Sequence, residues 1–265
     1  KTGRMEFWYG CTGPSTAHPI ASVKPAADER ADGALIAAPF FISDYILSVL
    51  IIVLYFAYIG QAWNLMIGFA GQLSLGHALF VGIGAYTSAA LFIHFGIGPW
   101  AGVFAAIAMS VLAGSVIGYL GFRFSIRGVY FALMTIAFAE FTGIIVDHIS
   151  WLGSTEGFFL PVKNRSSIDL LNLRGTQAMF YYVILGLTGA ALLLCRLLLN
   201  SKLGLYWQAI REDQESAEAI GVHLFRYKMI AVAISSGLTG MAGVSLTPMA
   251  GAAAPFPPPL AAATT

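Results

Sequence analysis

KLGLYWQAIREDQESAEAIGVHLFRYK, residues 202–228, is a polar island between two long apolar runs. It holds eight of the 27 Asp, Glu, Lys and Arg residues of the 265-residue chain. Ala209, Arg211, Gln214, Ala217, Glu218, Gly221 and Val222 fall at spacings that give a helix with a small-residue face and a charged face. A short charged helix between two spans implies that something in the adjacent water grips it.

The flanks decide the class. Hydrophobic residues make up 58% of the chain, charged residues 10%, and the mean hydropathy is +0.77. A soluble domain averages about 45–50% apolar and about 25% charged. The chain therefore reads as an all-α, polytopic transmembrane helix bundle, because its runs are long enough for helices rather than barrel strands. Six runs of about 20 residues lie at 45–67, 73–95, 100–122, 129–149, 178–199 and 229–249. The first two are separated only by GFAGQ (68–72), too Gly-rich for plain helix, which predicts a tight turn or a break in a re-entrant element. Parity puts Arg123, Arg127 and Arg196 on the island's side, seven Lys or Arg in all, against three in 151–177. The positive-inside rule then places the island in the cytoplasm.

Both ends are irregular. Residues 1–33 read as a tail, ALIAAPFFI (34–42) as the remnant of a cut-short helix, and PMAGAAAPFPPPLAAATT (248–265) as a Pro/Ala-rich stretch that stops helix at Pro248. The expected organisation is a tail at 1–33, a transmembrane domain at 34–249 with a cytoplasmic polar segment at 200–228, and a tail at 250–265, the whole reading as truncated at both ends.

Chemistry is sparse. The net charge of +1 points to no nucleic-acid partner. Cys11 and Cys195 are far apart, and the five histidines are scattered, so neither disulfide framework nor metal is expected. No phosphate-binding GxxxxGK[ST] loop, HExxH or GxSxG occurs, and no cofactor is expected. Gly68, Gly71, Gly76, Gly82 and Gly84 crowd one short stretch, and Gly98/Gly102, Gly114/Gly118 and Ser236/Gly240 add small-xxx-small pairs for helix packing. Gly71, Gln72, Ser74, Gly76 and His77 place hydrogen-bonding side chains beside flexible backbone at a membrane edge: a gate lining or interhelical hydrogen bonds. Glu140 is the only carboxylate well inside an apolar run, and either lines a wet cavity or pairs in the bundle. One central acid and no internal repeat argue against an ion-coupled secondary carrier acting alone.

GFAGQLSLGHALFVGIGAYTSAAL (68–91), WLGSTEGF (151–158) and GLYWQAIREDQESAEAIGVHLFRYKMIAVAISSGLTGMAG (204–243) come in the order of a known family. Together they resemble permeases of the branched-chain amino acid ABC importer family, LivM type. The resemblance implies an inner-membrane transporter subunit, not an enzyme, moving leucine, isoleucine or valine. Urea, short amides or other amino acids are carried by related permeases. It implies a second, LivH-like permease subunit, two cytoplasmic ATPase subunits that hydrolyse ATP, and an external solute-binding protein. Residues 218–221 stand where the family's loop docks into an ATPase cleft. Arg211, Glu212, Asp213, Glu215 and Glu218 would form the polar rim, Ala217 and Ala219 would let the helix lie close, and Gly221 would end it.

Overall fold

The computed structural model describes residues 39, 43–96, 98–126, 128–149, 151, 158–159, 177–250 and 252–253. The expected tail at 1–33, residues 34–42 apart from Pro39, most of the predicted outer segment, and residues 251 and 254–265 lie outside them.

Apolar runs in lipid must satisfy their own backbone, and helices do so within one segment. The described chain follows that rule. Helix α1 (Asp44–Asn64) runs on into one π-helical turn (Leu65–Phe69). Then come α2 (His77–Phe95), α3 (Pro99–Arg123), α4 (Val129–His148), α5 (Gln177–Leu199), α6 (Lys202–Glu212), α7 (Gln214–Ala219) and α8 (Leu224–Ala250). Among the described residues, α1 to α5 and α8 are the six helices long and apolar enough to cross a membrane, as the hydropathy implies. The extended pairing among these residues is two residues long, Phe158–Phe159 against Ala252–Ala253.

Helix α8 is the hub. It packs on α3 and α2 and more lightly on α1, while α1 pairs with α5 and α4 touches mainly α2. The apolar window of α8 is 61% buried, against 17% for α4, so one is central and the other peripheral. Small residues permit the central packing. A Cβ on Gly84 would overlap the Gly240 carbonyl, so the α2 and α8 backbones touch there. Ser110 Oγ donates to the Phe80 carbonyl at 3.2 Å, and Tyr58 OH donates to the Leu238 carbonyl at 2.8 Å. The outer surface carries large apolar side chains such as Phe104, Leu112, Val53 and Leu197, as lipid requires.

The links sort to two ends. One end gathers the π turn and residues 70–76, the α3–α4 link and the whole island: Arg211 reaches Gly68, and Lys228 lies over the Phe122 ring. At the other end His94 stacks on Trp151 with ring centroids 4.5 Å apart, and Gln177 Nε2 donates to Ser48 Oγ at 2.8 Å. The parity read from the sequence therefore holds in three dimensions.

Three boundaries move. The second span starts at His77, not residue 73, because the preceding backbone is bonded to tertiary partners instead of to a helix ladder: Leu75 N donates to Thr135 Oγ1 at 3.1 Å, and the Ser74 carbonyl accepts from Trp63 Nε1 at 2.6 Å. The last helix starts at Leu224, inside the island, and continues through Pro248 to Ala250. A proline in the last turn removes one hydrogen bond without ending the helix. The island itself is two helices and not one, because Asp213 takes an extended conformation (φ −152°, ψ 116°) between α6 and α7.

Candidate functional site

Seven residues, 70–76, separate the π turn from α2: Ala70 in a turn, then six with no regular structure. Gly71 starts the break in a left-handed conformation, φ +65°, which a side chain disfavours. Its Cα also faces Arg211: a Cβ there would lie 3.0 Å from Arg211 Cγ and 3.2 Å from Arg211 Cα. Gln72 closes the turn, its backbone N–H donating to the Met66 carbonyl at 3.0 Å and its Nε2 to the Ala70 carbonyl at 3.1 Å. Gly76 sits against α4, where a Cβ would overlap the Thr135 carbonyl. His77 opens α2 and faces α8. Its Nε2 lies 2.9 Å from Ser235 Oγ, and Ser235 donates its single proton to the Ala62 carbonyl at 2.6 Å. Ser235 must then accept from His77 Nε2–H, which leaves Nδ1 as an acceptor. His77 Nδ1 and Ser74 Oγ are buried and have no hydrogen-bond partner among the described residues. Each such atom costs about 1–3 kcal/mol unless water or another polar group meets it.

The island seats directly beneath this break. Trp207 and Ile210, fully buried, face inward from α6, and Trp207 Nε1 donates to the Tyr227 carbonyl at 2.8 Å. Ala217 of α7 is buried against Ile210 and Val222. Lys228, also buried, donates to Gln214 Oε1 at 2.8 Å and lies 5.6 Å from the Phe122 ring centroid, tying α8 to α7 and α3. Arg211 Nη1 donates to the Gly68 carbonyl at 2.6 Å, and its other terminal nitrogen pairs with Glu212 at 3.0 Å. One guanidinium thus joins the island to the last turn before the break.

Helix α7 is closed at both ends. Asp213 caps its start, accepting from Glu215 N at 3.0 Å and from the Ser216 hydroxyl, and these bonds, the hydroxyl's first, hold its carboxyl below the usual carboxylate range. At the far end Gly221, φ +91°, donates to the Glu218 carbonyl at 2.9 Å, and Val222 donates to the Ala217 carbonyl at 3.0 Å. This is a Schellman motif, with Val222 packed on Ala217 as its apolar clasp. Glu212, Asp213, Glu215, Glu218, Ala219 and Gly221 are left exposed, and Ile220 is 77% exposed at the tip.

The structure therefore brings together Gly71, Gln72, Ser74, Gly76, His77 and Arg211. Ala217 is turned into the chain's own core, away from the exposed rim. Glu140 stands apart on the exposed face of α4, about 140° around and about 7.5 Å along the helix from Thr135. Sequence reasoning left out Thr135, Ser235 and Trp207. Trp207 and Ile210, three apart in a polar stretch, do carry an amphipathic signal. Thr135 and Ser235 lie in apolar runs with none.

A family described as "Branched-chain amino acid transport system / permease component" matches residues 45–263. Two curated relatives are each called "High-affinity branched-chain amino acid transport system permease protein LivM". The one from Escherichia coli (strain K12) is 28% identical over 229 residues, covering 78% of this chain and 53% of the relative. The one from Salmonella typhimurium (strain LT2) is 29% identical with the same coverage. The chain spans about half the length of these relatives. No solved structure matches it.

Proposed function

The chain belongs to the branched-chain amino acid transport system permease family, and from that premise we propose that it is a membrane-spanning permease subunit of an ATP-driven importer. The substrates in this reading are leucine, isoleucine and valine, and the membrane is the inner membrane. The relatives' printed names support that substrate class. Hydrolysis of ATP resides on separate ATPase subunits below the membrane. A second permease subunit and an external solute-binding protein complete the assembly.

The observation that carries the mechanism is the Arg211–Gly68 hydrogen bond, which couples the exposed α6–α7 pair to the broken element at 65–76. In this reading α7 and its exposed tip enter a cleft of the ATPase. Closure of the ATPase pair displaces α6 and α7 as one seated unit, since Trp207, Ile210 and Ala217 fix both to the bundle. Arg211 transmits the displacement to the π turn, a form of helix with one residue too many per turn that commonly marks functional sites. Residues 71–76 then rearrange against Thr135 and Ser235 and change the access of the pathway. Gly71, Gln72, Ser74, Gly76 and His77 are the gate in this scheme, with Ser74 Oγ and His77 Nδ1 supplying polar atoms to water or substrate. Arg211, Glu212, Asp213, Glu215, Glu218, Ala219 and Gly221 form the coupling surface, and Ala217 seats it.

Copurification and uptake test this. The full-length protein should bring down an ATPase and a second permease, and vesicles holding the complex should take up leucine only with internal-side ATP and the solute-binding protein. A preparation that assembles with no ATPase, or that carries leucine without one, ends the proposal.

A further inference from the structure

Ser74 and His77 carry two polar atoms that the fold seals off without pairing. Ser74 is 1% exposed and His77 6%, and neither Ser74 Oγ nor His77 Nδ1 has a hydrogen-bond partner among the described residues. Both residues are anchored on one turn of α1. Trp63 Nε1 donates to the Ser74 carbonyl at 2.6 Å. His77 Nε2 bonds Ser235 Oγ, which in turn bonds the carbonyl of Ala62, the residue before Trp63. The Phe80 ring stands edge-on to the imidazole, with centroids 5.7 Å apart. On the far side of the break α4 closes in, its Thr135 carbonyl against Gly76. Ser74 and His77 therefore meet at one junction of α1, α8 and the start of α2, inside the bundle. Helix α2 begins there without a side-chain cap, which leaves its first-turn amides as donors.

The chemistry of the pair selects what lies between them. With Nε2–H donating to Ser235, Nδ1 is an acceptor only. The Ser74 hydroxyl is a donor three residues away, yet it does not reach Nδ1. Whatever meets Nδ1 must donate to it, which excludes an anion or a carbonyl group. An ammonium group or a metal cation brings a charge, and no Asp or Glu is buried among the described residues to balance one. A buried charge without a partner costs far more than a buried neutral donor. We propose that this junction is a binding site for a single water molecule, which donates to His77 Nδ1 and accepts from the Ser74 hydroxyl and from a first-turn amide of α2. Three polar partners are the usual complement of a buried water. The water holds His77 in its Nε2–H tautomer. It thereby sets the direction of the hydrogen-bond chain from His77 through Ser235 to Ala62, which clasps α2 to α8 and α1. The site is the same whatever cargo the chain carries.

Solid-state NMR of the full-length protein in lipid bilayers, with isotope-labelled histidine, tests the idea. The His77 signals are identified by their loss in His77→Gln. In the wild type Nδ1 should appear as an unprotonated ring nitrogen shifted upfield by a hydrogen bond, and should correlate with a proton at the water frequency. Ser74→Ala should weaken that correlation several-fold and move the resonance downfield, toward that of an unbonded ring nitrogen. Three wild-type results overturn the proposal. An unbonded Nδ1 resonance means that the junction is dry. A correlation to a protein proton in place of water means that a polar group of the protein fills it. A protonated Nδ1 means that His77 takes the other tautomer. All three are read without a variant, so they stand even where Ser74→Ala fails to fold. An unchanged Nδ1 signal in folded Ser74→Ala also overturns it, because Ser74 would then hold no shared water.

Discussion

Gly71 and Arg211 meet with no side chain between them, and each depends on the other. A residue with a Cβ at position 71 must hold a left-handed conformation, a cost of about 1–2 kcal/mol, and must also push on Arg211 Cγ at 3.0 Å. Gly71→Ala is therefore expected to lower the melting temperature in detergent by several degrees. Arg211→Ala removes the bond to the Gly68 carbonyl from an exposed side chain and should leave the melt near wild type. Its predicted effect is functional: ATPase activity in the complex should no longer respond to loaded solute-binding protein. The double variant should lose less stability than the two singles added, because truncating Arg211 relieves the crowding. Strict additivity would show that the two residues do not communicate.

Helix α7 owes its existence to its ends. Six residues cannot hold a helix by propensity alone, so the Asp213 cap and the Gly221 Schellman turn decide whether it forms. The cap has a pH dependence with a definite sign. The folded carboxyl is held below the unfolded value of 3.8. Its contribution is thus fully present above that value and is lost as pH falls through the lower folded one. Amide protection factors across 214–219, with the intrinsic pH dependence of exchange divided out, should be flat at neutral pH and fall in acid, and Asp213→Asn should abolish the fall. At the other end Gly221→Leu meets no neighbour within 4 Å, yet it forces a side chain to φ +91°. It should fray α7 and uncouple hydrolysis from uptake while leaving membrane insertion intact. Glu218→Arg, on the exposed face of the same element, should uncouple without fraying. Wild-type uptake rates in vesicles with both changes would show that α7 transmits nothing.

For the whole bundle, α8 is the part that cannot move without the rest. Gly84 faces the Gly240 backbone and Gly76 faces the Thr135 backbone, so a leucine at either must drive helices apart. Overpacking of this kind costs about 1–3 kcal/mol or more. Gly96→Leu finds open space and pays only for φ +65°, about 1–2 kcal/mol. Thermal stability in detergent should therefore fall further for Gly76→Leu and Gly84→Leu than for Gly96→Leu. Equal loss in all three would mean that the α2–α8 and α2–α4 contacts are not rigid.

Six spans, their alternation and the amphipathic island were legible in the residues themselves, because hydropathy and helical period are local properties that lipid enforces along each segment. The Gly-rich break between the first two spans was legible as a discontinuity, for the same reason that Gly71 needs its left-handed turn. Only the tertiary structure decided where the break ends, since Leu75 and Ser74 find their hydrogen bonds on Thr135 and Trp63, far away in sequence or on the preceding helix. It alone turned Ala217 inward, split the island at Asp213, joined Arg211 to Gly68 and left Glu140 on an outer face. Each of these depends on which helix lies beside which. A one-dimensional pattern fixes the period of a helix but not the neighbour its faces will meet.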